Sequence, residues 1–252
     1  IRLTNLTGAT MHVDAIPVVE YTHPDALKQL TNADWVPQTM QSKVVEVEGI
    51  PVLVQYPFML RDAQERWFTA SLAASSFETD RKQFLGNNEY GTWRSPQSLQ
   101  QAQLGNHQAL RGDNIGALLL PIGDLQPGET RRFVTLLGQS GSLQASAEMI
   151  KRYRKFEEVD VALQKISDFW NGYLSNLQVK TPEKDLDRMV NIYNPRQCWT
   201  TMNWSRYLSF YQLGYGSSRG IGFRDSSQDV MGVLASAPQA ASELLLKLLS
   251  VQ

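Results

Sequence analysis

The chain has 252 residues, 42% of them hydrophobic, 19% charged and 10% aromatic, a globular composition that excludes disordered and low-complexity classes. Twenty-four Lys and Arg against 25 Asp and Glu leave a net charge of -1, too little to hold a nucleic-acid backbone or an anionic membrane by bulk charge. The single cysteine, Cys198, excludes an internal disulfide, and with only His12, His23 and His107 beside it no metal centre is expected. No apolar run is long enough for a spanning helix, so neither nucleic acid nor membrane is expected as a partner.

The chain opens on Ile1–Leu6, which alternates like the middle of a strand, with neither an initiator Met nor a signal-peptide layout. At the far end an apolar helical run, residues 244–252, stops without a capping glycine. Both ends read as cuts, so the expectation is an internal piece of a longer chain. Residues 1–141 hold 11 of the 17 Gly and eight of the 11 Pro, the punctuation of short strands and turns. Strands are expected at 1–6, 13–21, 43–48, 51–56, 67–74, 117–122 and 131–137. Glu48-Gly49 and the run Asp124 to Glu129 supply turn chemistry between them. Short runs so spaced predict an antiparallel sandwich rather than alternating strands and helices.

After Gly141 the period changes. Leu143, Ala147 and Ile150, then Val159, Leu163, Ile166 and Trp170, recur at helical spacing with charged residues between them. Thr181-Pro182-Glu183 predicts a helix start, with Thr181 as cap, and that helix is expected to run towards Leu213 with a break or kink at Pro195. Asp225 to Gln228 reads as a capping-box-like entry to another helix, with Asp225 as its cap, and Pro238 opens a further one. The predicted fold class is thus a β-sandwich domain over 1–140, a helical linker over 141–180 and stacked helices over 181–252.

The stretch from Asn203 to Asp229 carries the chemistry. Gly214, Gly216, Gly220 and Gly222 suit a loop that turns sharply or approaches a ligand closely. It is no dinucleotide fingerprint, because Arg219 stands where the third glycine belongs and a helix precedes it. Between Asp185 and Leu246 there is no Lys but five Arg: Arg188, Arg196, Arg206, Arg219 and Arg224. The planar guanidinium fork is what bidentate holding of phosphate or vicinal hydroxyls needs, although arginines also bridge helices for purely structural reasons. Trp199, Trp204, Phe210 and Tyr211 would suit a sugar-stacking wall, but aromatics at helical spacing more often form core. Cys198 among them reads as a small buried hydrophobe.

The run Arg219-Gly220-Ile221-Gly222-Phe223-Arg224-Asp225-Ser226-Ser227-Gln228-Asp229 resembles the motif of glycoside hydrolase family 94. Asn191 to Cys198, Asn203-Trp204-Ser205-Arg206, Phe84-Leu85-Gly86 and Trp93-Arg94-Ser95-Pro96 fit the same pattern, so the resemblance spans essentially the whole chain. That family includes cellobiose, cellodextrin, laminaribiose and chitobiose phosphorylases and the cyclic β-1,2-glucan synthases. The resemblance implies that residues 181–252 are the opening helices of an (α/α)6 catalytic barrel. It implies a cytoplasmic, homodimeric enzyme that cuts a β-linked gluco-oligosaccharide with inorganic phosphate as co-substrate, inverting the anomeric centre to give α-glucose 1-phosphate. No other cofactor is implied.

Arg206 matches the family's phosphate-holding arginine, and Arg219 with Asp225 the residues that bind the glucosyl unit. The loop before Arg219 is two residues longer than the family's usual one. The family's general acid lies in a Trp-Asn-Asp segment downstream of the motif, whereas this chain offers only Trp170-Asn171-Gly172. The proton donor and the remainder of the barrel are therefore expected beyond Gln252, no catalytic residue is assigned within the chain, and the piece by itself is expected to be inactive. Two other readings stay open: a non-catalytic carbohydrate-binding or assembly module, and part of a cyclic β-1,2-glucan synthase-type enzyme.

Overall fold

The computed structural model describes residues 1–21, 32, 35–58, 64–205 and 222–250. They form two compact units, residues 1–160 and 161–252. The first is rich in sheet and the second is helical, so the change of sequence period after Gly141 marks a real change of structure. The stretch 141–180 is shared between the two units.

The first unit has ten described strands: β1 (Arg2–Thr4), β2 (Met11–Ala15), β3 (Val18–Glu20), β4 (Met40–Val47), β5 (Ile50–Pro57), β6 (Glu65–Ala70), β7 (Ser76–Asp80), β8 (Asn114–Leu125), β9 (Thr130–Arg132) and β10 (Thr135–Ser140). One antiparallel sheet runs β10-β6-β5-β4, and the other is built on β8, which pairs with β2, β3 and β7. β1 and β9 form a separate pair. The hairpin between β4 and β5 is set by Glu48 and Gly49, both left-handed at φ 56° and 72°, which suits the twist of the flanking strands.

β8 explains why the layers hold. From Asn114 to Leu120 every residue is buried, where a sandwich strand with one wet face would alternate. Leu118, Leu120 and Ile122 point into a core shared with Leu53, Phe68 and Ala70 of the other sheet and with Phe133. The alternate residues Ile115, Ala117 and Leu119 meet Phe84, Leu85 and Leu104 on the opposite face. Phe84 and Leu85 belong to the short helix α1 (Arg81–Leu85), capped by Asp80 through Lys82 and Gln83 amides. The sheet of β4, β5, β6 and β10 is covered on its outer face too, where Val47, Val52, Val54 and Trp67 pack on Ile150 of α2 (Leu143–Tyr153). Gly138 faces Trp67 across the β10–β6 ladder, and an added methyl would fall inside the indole ring.

The expected strands 13–21 and 131–137 are each two strands. Ile16-Pro17 interrupts the first, because proline offers no ladder donor. Phe133-Val134 interrupts the second, and the two halves join different pairings, β9 with β1 and β10 with β6. β7 was not legible as a strand, since Glu78, Thr79 and Asp80 carry polar groups that only the tertiary structure satisfies. Glu78, 1% exposed, accepts the Thr79 and Asp80 amides at 3.0 Å each and lies 2.6 Å from His107 Nδ1.

In the second unit, α3 (Phe156–Ser175) straddles the division between the units and leads to a helical run over 184–205. That run comprises α4 (Lys184–Arg188), a π-helical turn (Met189–Tyr193), α5 (Asn194–Thr200) and a second π-helical turn (Thr201–Ser205). Pro195 does not break it. The wider turn lies just ahead of the proline, where the Asn194 amide reaches five residues back to the Met189 carbonyl, the local solution to a ring that cannot donate. The helix begins later than its sequence suggests. Glu183, not Thr181, is the cap, because Asp187 accepts the Thr181 amide and hydroxyl at 2.8 and 2.9 Å and keeps Thr181 outside the helix. α6 (Phe223–Met231) and α7 (Pro238–Leu249, with proline in its first turn) complete the described helices. Tyr173, Met202, Val230, Val233 and Ala241 are their shared core. No described helix is long and apolar enough to cross a membrane.

Arg154, 8% exposed at the end of α2, donates to the Ala70 carbonyl at 3.0 Å, the Val47 carbonyl at 2.6 Å and the Thr69 hydroxyl at 2.6 Å. Burial pulls its pKa below the usual guanidinium value, so these three acceptors are what keep the charge tolerable. Arg154→Met strands the acceptors and should lower stability by about 2–4 kcal/mol, read as an earlier urea midpoint with unchanged slope. Gly138→Ala should cost about 1–3 kcal/mol, because the Trp67 ring must leave its place on α2.

Candidate functional site

Of the residues that the sequence singled out for chemistry, Asp225 is within the described structure, while Arg206 and Arg219 lie outside the described residues. Asp225 sits in the first turn of α6, three residues past the Gly222 cap, so it does not cap that helix itself. Its Oδ1 accepts from the Arg224 guanidinium at 3.2 and 3.4 Å, and its side chain remains 39% exposed. Its other oxygen faces the Gly222 backbone, 3.5 Å from where a methyl on that glycine would stand. A carboxylate in the first turn is favoured by the helix dipole, and among the described residues its Oδ1 is the oxygen that accepts from Arg224.

The remaining arginines divide between structural tasks. Arg188 pairs with Asp185 at 3.1 Å one turn back on α4. Arg196 lies over the Trp170 ring, 5.5 Å from its centroid. For Arg196 the helix-bridging reading holds, whereas Arg188 makes its pair within its own helix. Trp199 packs with Phe169, Trp170 and Tyr173 at centroid separations of 4.9 to 6.4 Å, which makes it core rather than a free stacking wall. The Trp204 side chain, Phe210 and Tyr211 lie outside the described residues. Cys198 is half-buried in the same cluster, and it approaches Gly232 so closely that a methyl there would meet its sulfur at 2.9 Å.

Other motif residues prove to be fasteners. The Asn191 side-chain amide takes the Val179 amide at 2.8 Å and donates to the Val179 carbonyl at 2.9 Å, tying the helical run to the segment after α3. The Tyr173 hydroxyl donates to the Pro195 carbonyl at 3.1 Å, and burial, with Cys198 second, raises its pKa so that the proton stays. In the first unit, Phe84 packs against Trp93 at 5.7 Å, and the Trp93 indole donates to Glu20 at 2.9 Å. Gly86 adopts φ +65° and would place a methyl in Gln97, which explains a glycine there. The sequence did not point to Glu20, Val179 or Gln97, because each meets its motif partner only through folding.

Residues 1–156 match the family model of the glycosyl hydrolase 94 supersandwich domain, and residues 169–252 that of the glycosyl hydrolase 94 superfamily catalytic domain. The chain belongs to the glycosyl hydrolase 94 family. It is similar to the N,N'-diacetylchitobiose phosphorylase of Vibrio furnissii, 30% identical over 74% of this chain and 22% of that protein. The enzyme of the same name from Vibrio proteolyticus is 29% identical over 80% of this chain and 25% of its own length. The solabiose phosphorylase of Paenibacillus borealis is 27% identical over 75% of this chain and 24% of that protein. The chain thus spans about a quarter of the length of these relatives.

Asp225→Asn is nearly isosteric but exchanges an acceptor for a donor. Stability should change by less than about 1 kcal/mol, the dipole contribution of an exposed first-turn carboxylate, read as a nearly unchanged melting temperature. A larger fall in melting temperature would mark Asp225 as a helix-stabilising residue instead.

Proposed function

We propose that the enzyme containing this chain catalyses inverting phosphorolysis of a β-linked gluco-oligosaccharide, giving α-glucose 1-phosphate. The observation that carries the reading is the match of residues 169–252 to the family's catalytic domain, which includes the arginine-rich run 219–229. The phosphorylase relatives aligned over both units support the same reading.

In this reaction a phosphate oxygen attacks the anomeric carbon from the face opposite the leaving sugar. The glycosidic bond breaks, and an acid delivers a proton to the departing oxygen. Phosphate is itself the nucleophile, so no carboxylate has to activate water. The site must instead hold an anion close to a developing positive sugar ring, work suited to guanidinium donors. In our assignment Arg206 holds phosphate, and Arg219 and Asp225 hold hydroxyls of the glucosyl unit. The proton donor is supplied by a part of the enzyme other than residues 1–252, which have no Trp-Asn-Asp segment.

The helices α4 to α7 belong, on this reading, to an (α/α)6 barrel. Leu186, Met189, Ile192, Met231, Leu246 and Leu249 are exposed apolar side chains that the rest of such a barrel would cover. We place the working enzyme in the cytoplasm as a homodimer that takes up short oligosaccharides. A second reading is favoured by similarity to the cyclic β-(1,2)-glucan synthase NdvB of Rhizobium meliloti, 26% identical over 78% of this chain but only 6% of that protein. Phosphate consumption by the full-length enzyme with a panel of β-glucosyl disaccharides separates the two. Turnover confined to β-1,2 chains without glucose 1-phosphate supports the second.

Arg206→Lys keeps the charge and removes the fork. The Michaelis constant for phosphate should rise roughly tenfold or more, the loss of about one charge-assisted bond, with that for the disaccharide little changed. A rise confined to the disaccharide reassigns Arg206 to the sugar. Residues 1–252 alone should show no phosphate-dependent cleavage, and measurable turnover that Asp225→Ala abolishes would overturn the placement of the acid.

A further inference from the structure

The helical run of the second unit widens twice, at Met189–Tyr193 and at Thr201–Ser205. Pro195 accounts for the first widening, since its ring cannot donate and the turn ahead of it re-routes its hydrogen bonds. It does not account for the second. The next proline along the chain is Pro238, and π-helical residues make up well under about 1% of globular proteins, so a second wide turn in the same run needs its own cause.

That cause lies in Asn203. The Trp199 carbonyl, four residues back, is the acceptor that an α-helix would give the Asn203 backbone amide. Here the Asn203 side chain donates to that carbonyl at 2.9 Å. A side chain that takes the acceptor one turn back competes with the backbone ladder, and such competition loosens and bends helices. At the entrance of the wide turn the Gln197 side-chain amide donates to the Thr201 hydroxyl at 3.2 Å, tying the turn to α5. Met202 is 4% exposed in the core with Tyr173 and Val230, so the turn widens around a fixed side chain. Asn203 is exposed and takes no part in that core.

The residue after Ser205 in the sequence is Arg206, assigned above to phosphate. A π-turn takes roughly one residue more than an α-turn to come round, and at about 3.6 residues per turn one residue is about 100° of azimuth. Closing the turn to α would swing whatever follows it by about that angle, enough to take a guanidinium off an anion that it must meet at about 3 Å. We propose that Asn203 is a positioning residue for the phosphate subsite: its side-chain bond to Trp199 keeps 201–205 wide and so sets the azimuth of Arg206. The proposal rests on the phosphorolysis reading and adds to it a residue that acts through Arg206 rather than by touching phosphate.

Phosphate kinetics of the full-length enzyme test this. Asn203→Leu keeps the size of the side chain and removes the donor. The Michaelis constant for phosphate should rise roughly three- to tenfold, with that for the disaccharide and the melting temperature little changed. Asn203→Ser, whose hydroxyl can still donate one turn back, should recover most of the loss. Asn203→Leu combined with Arg206→Lys should raise the phosphate constant no further than Arg206→Lys alone, because a residue that acts through Arg206 then has nothing left to position. If Asn203→Leu does not fold, Asn203→Ala takes its place with the same expectations. An unchanged phosphate constant, an equal rise for the disaccharide, no recovery by serine, or additive effects in the double variant would each overturn the proposal and leave phosphorolysis standing. No phosphate-dependent turnover by the unaltered enzyme would overturn both.

Discussion

The architecture of the first unit depends on β8 being buried along both faces. A strand of a two-layer sandwich normally has one dry face, but β8 places alternate residues in two separate cores, with Leu118 and Leu120 on one side and Ile115, Ala117 and Leu119 on the other. That arrangement needs a cover on the far side, and α1 with Leu104 provides it. The same demand recurs on the other sheet, where α2 covers Val52, Val54 and Trp67. Both sheets are therefore enclosed between packed layers, and each closure depends on a polar fastener. Asp80 caps α1, and Arg154 ties the end of α2 to strands β4 and β6. Burying a guanidinium is tolerable only because all three of its contacts are acceptors.

The second unit solves a different problem. Its helical run continues through Pro195, and a widened turn lies just ahead of the proline. Trp170, Tyr173 and Trp199 then pack around the run, with the Tyr173 hydroxyl meeting the Pro195 carbonyl. Much of what makes the 191–199 stretch recognisable is thus mechanical. Asn191 clamps the segment after α3 at Val179, Arg196 lies over Trp170, and Cys198 fills the space that Gly232 leaves.

Asp225 shows how a motif residue gains freedom from its surroundings. Because Gly222 caps α6, the Asp225 carboxylate is released from capping and shares one oxygen with Arg224. The motif was legible in the sequence as a contiguous run, since eleven consecutive residues carry their own signature. The role of Asp225 as helix cap was misread, because local sequence does not reveal which of several small or polar residues, Gly222 or Asp225, leaves the helical conformation first.

By itself, then, the sequence determined the change from sheet to helix after Gly141, the Glu48-Gly49 hairpin, the start of α7 at Pro238 and the family. All of these reside in local periodicity, backbone preference or a contiguous motif. The tertiary structure alone decided that 13–21 and 131–137 are each divided, that β7 is a strand, and that Arg196 lies over Trp170 and Asn191 clamps Val179. The physical reason is common to them. Each depends on partners far along the chain, and a hydrogen bond or an apolar contact has no sign in the sequence until folding brings its second half within reach.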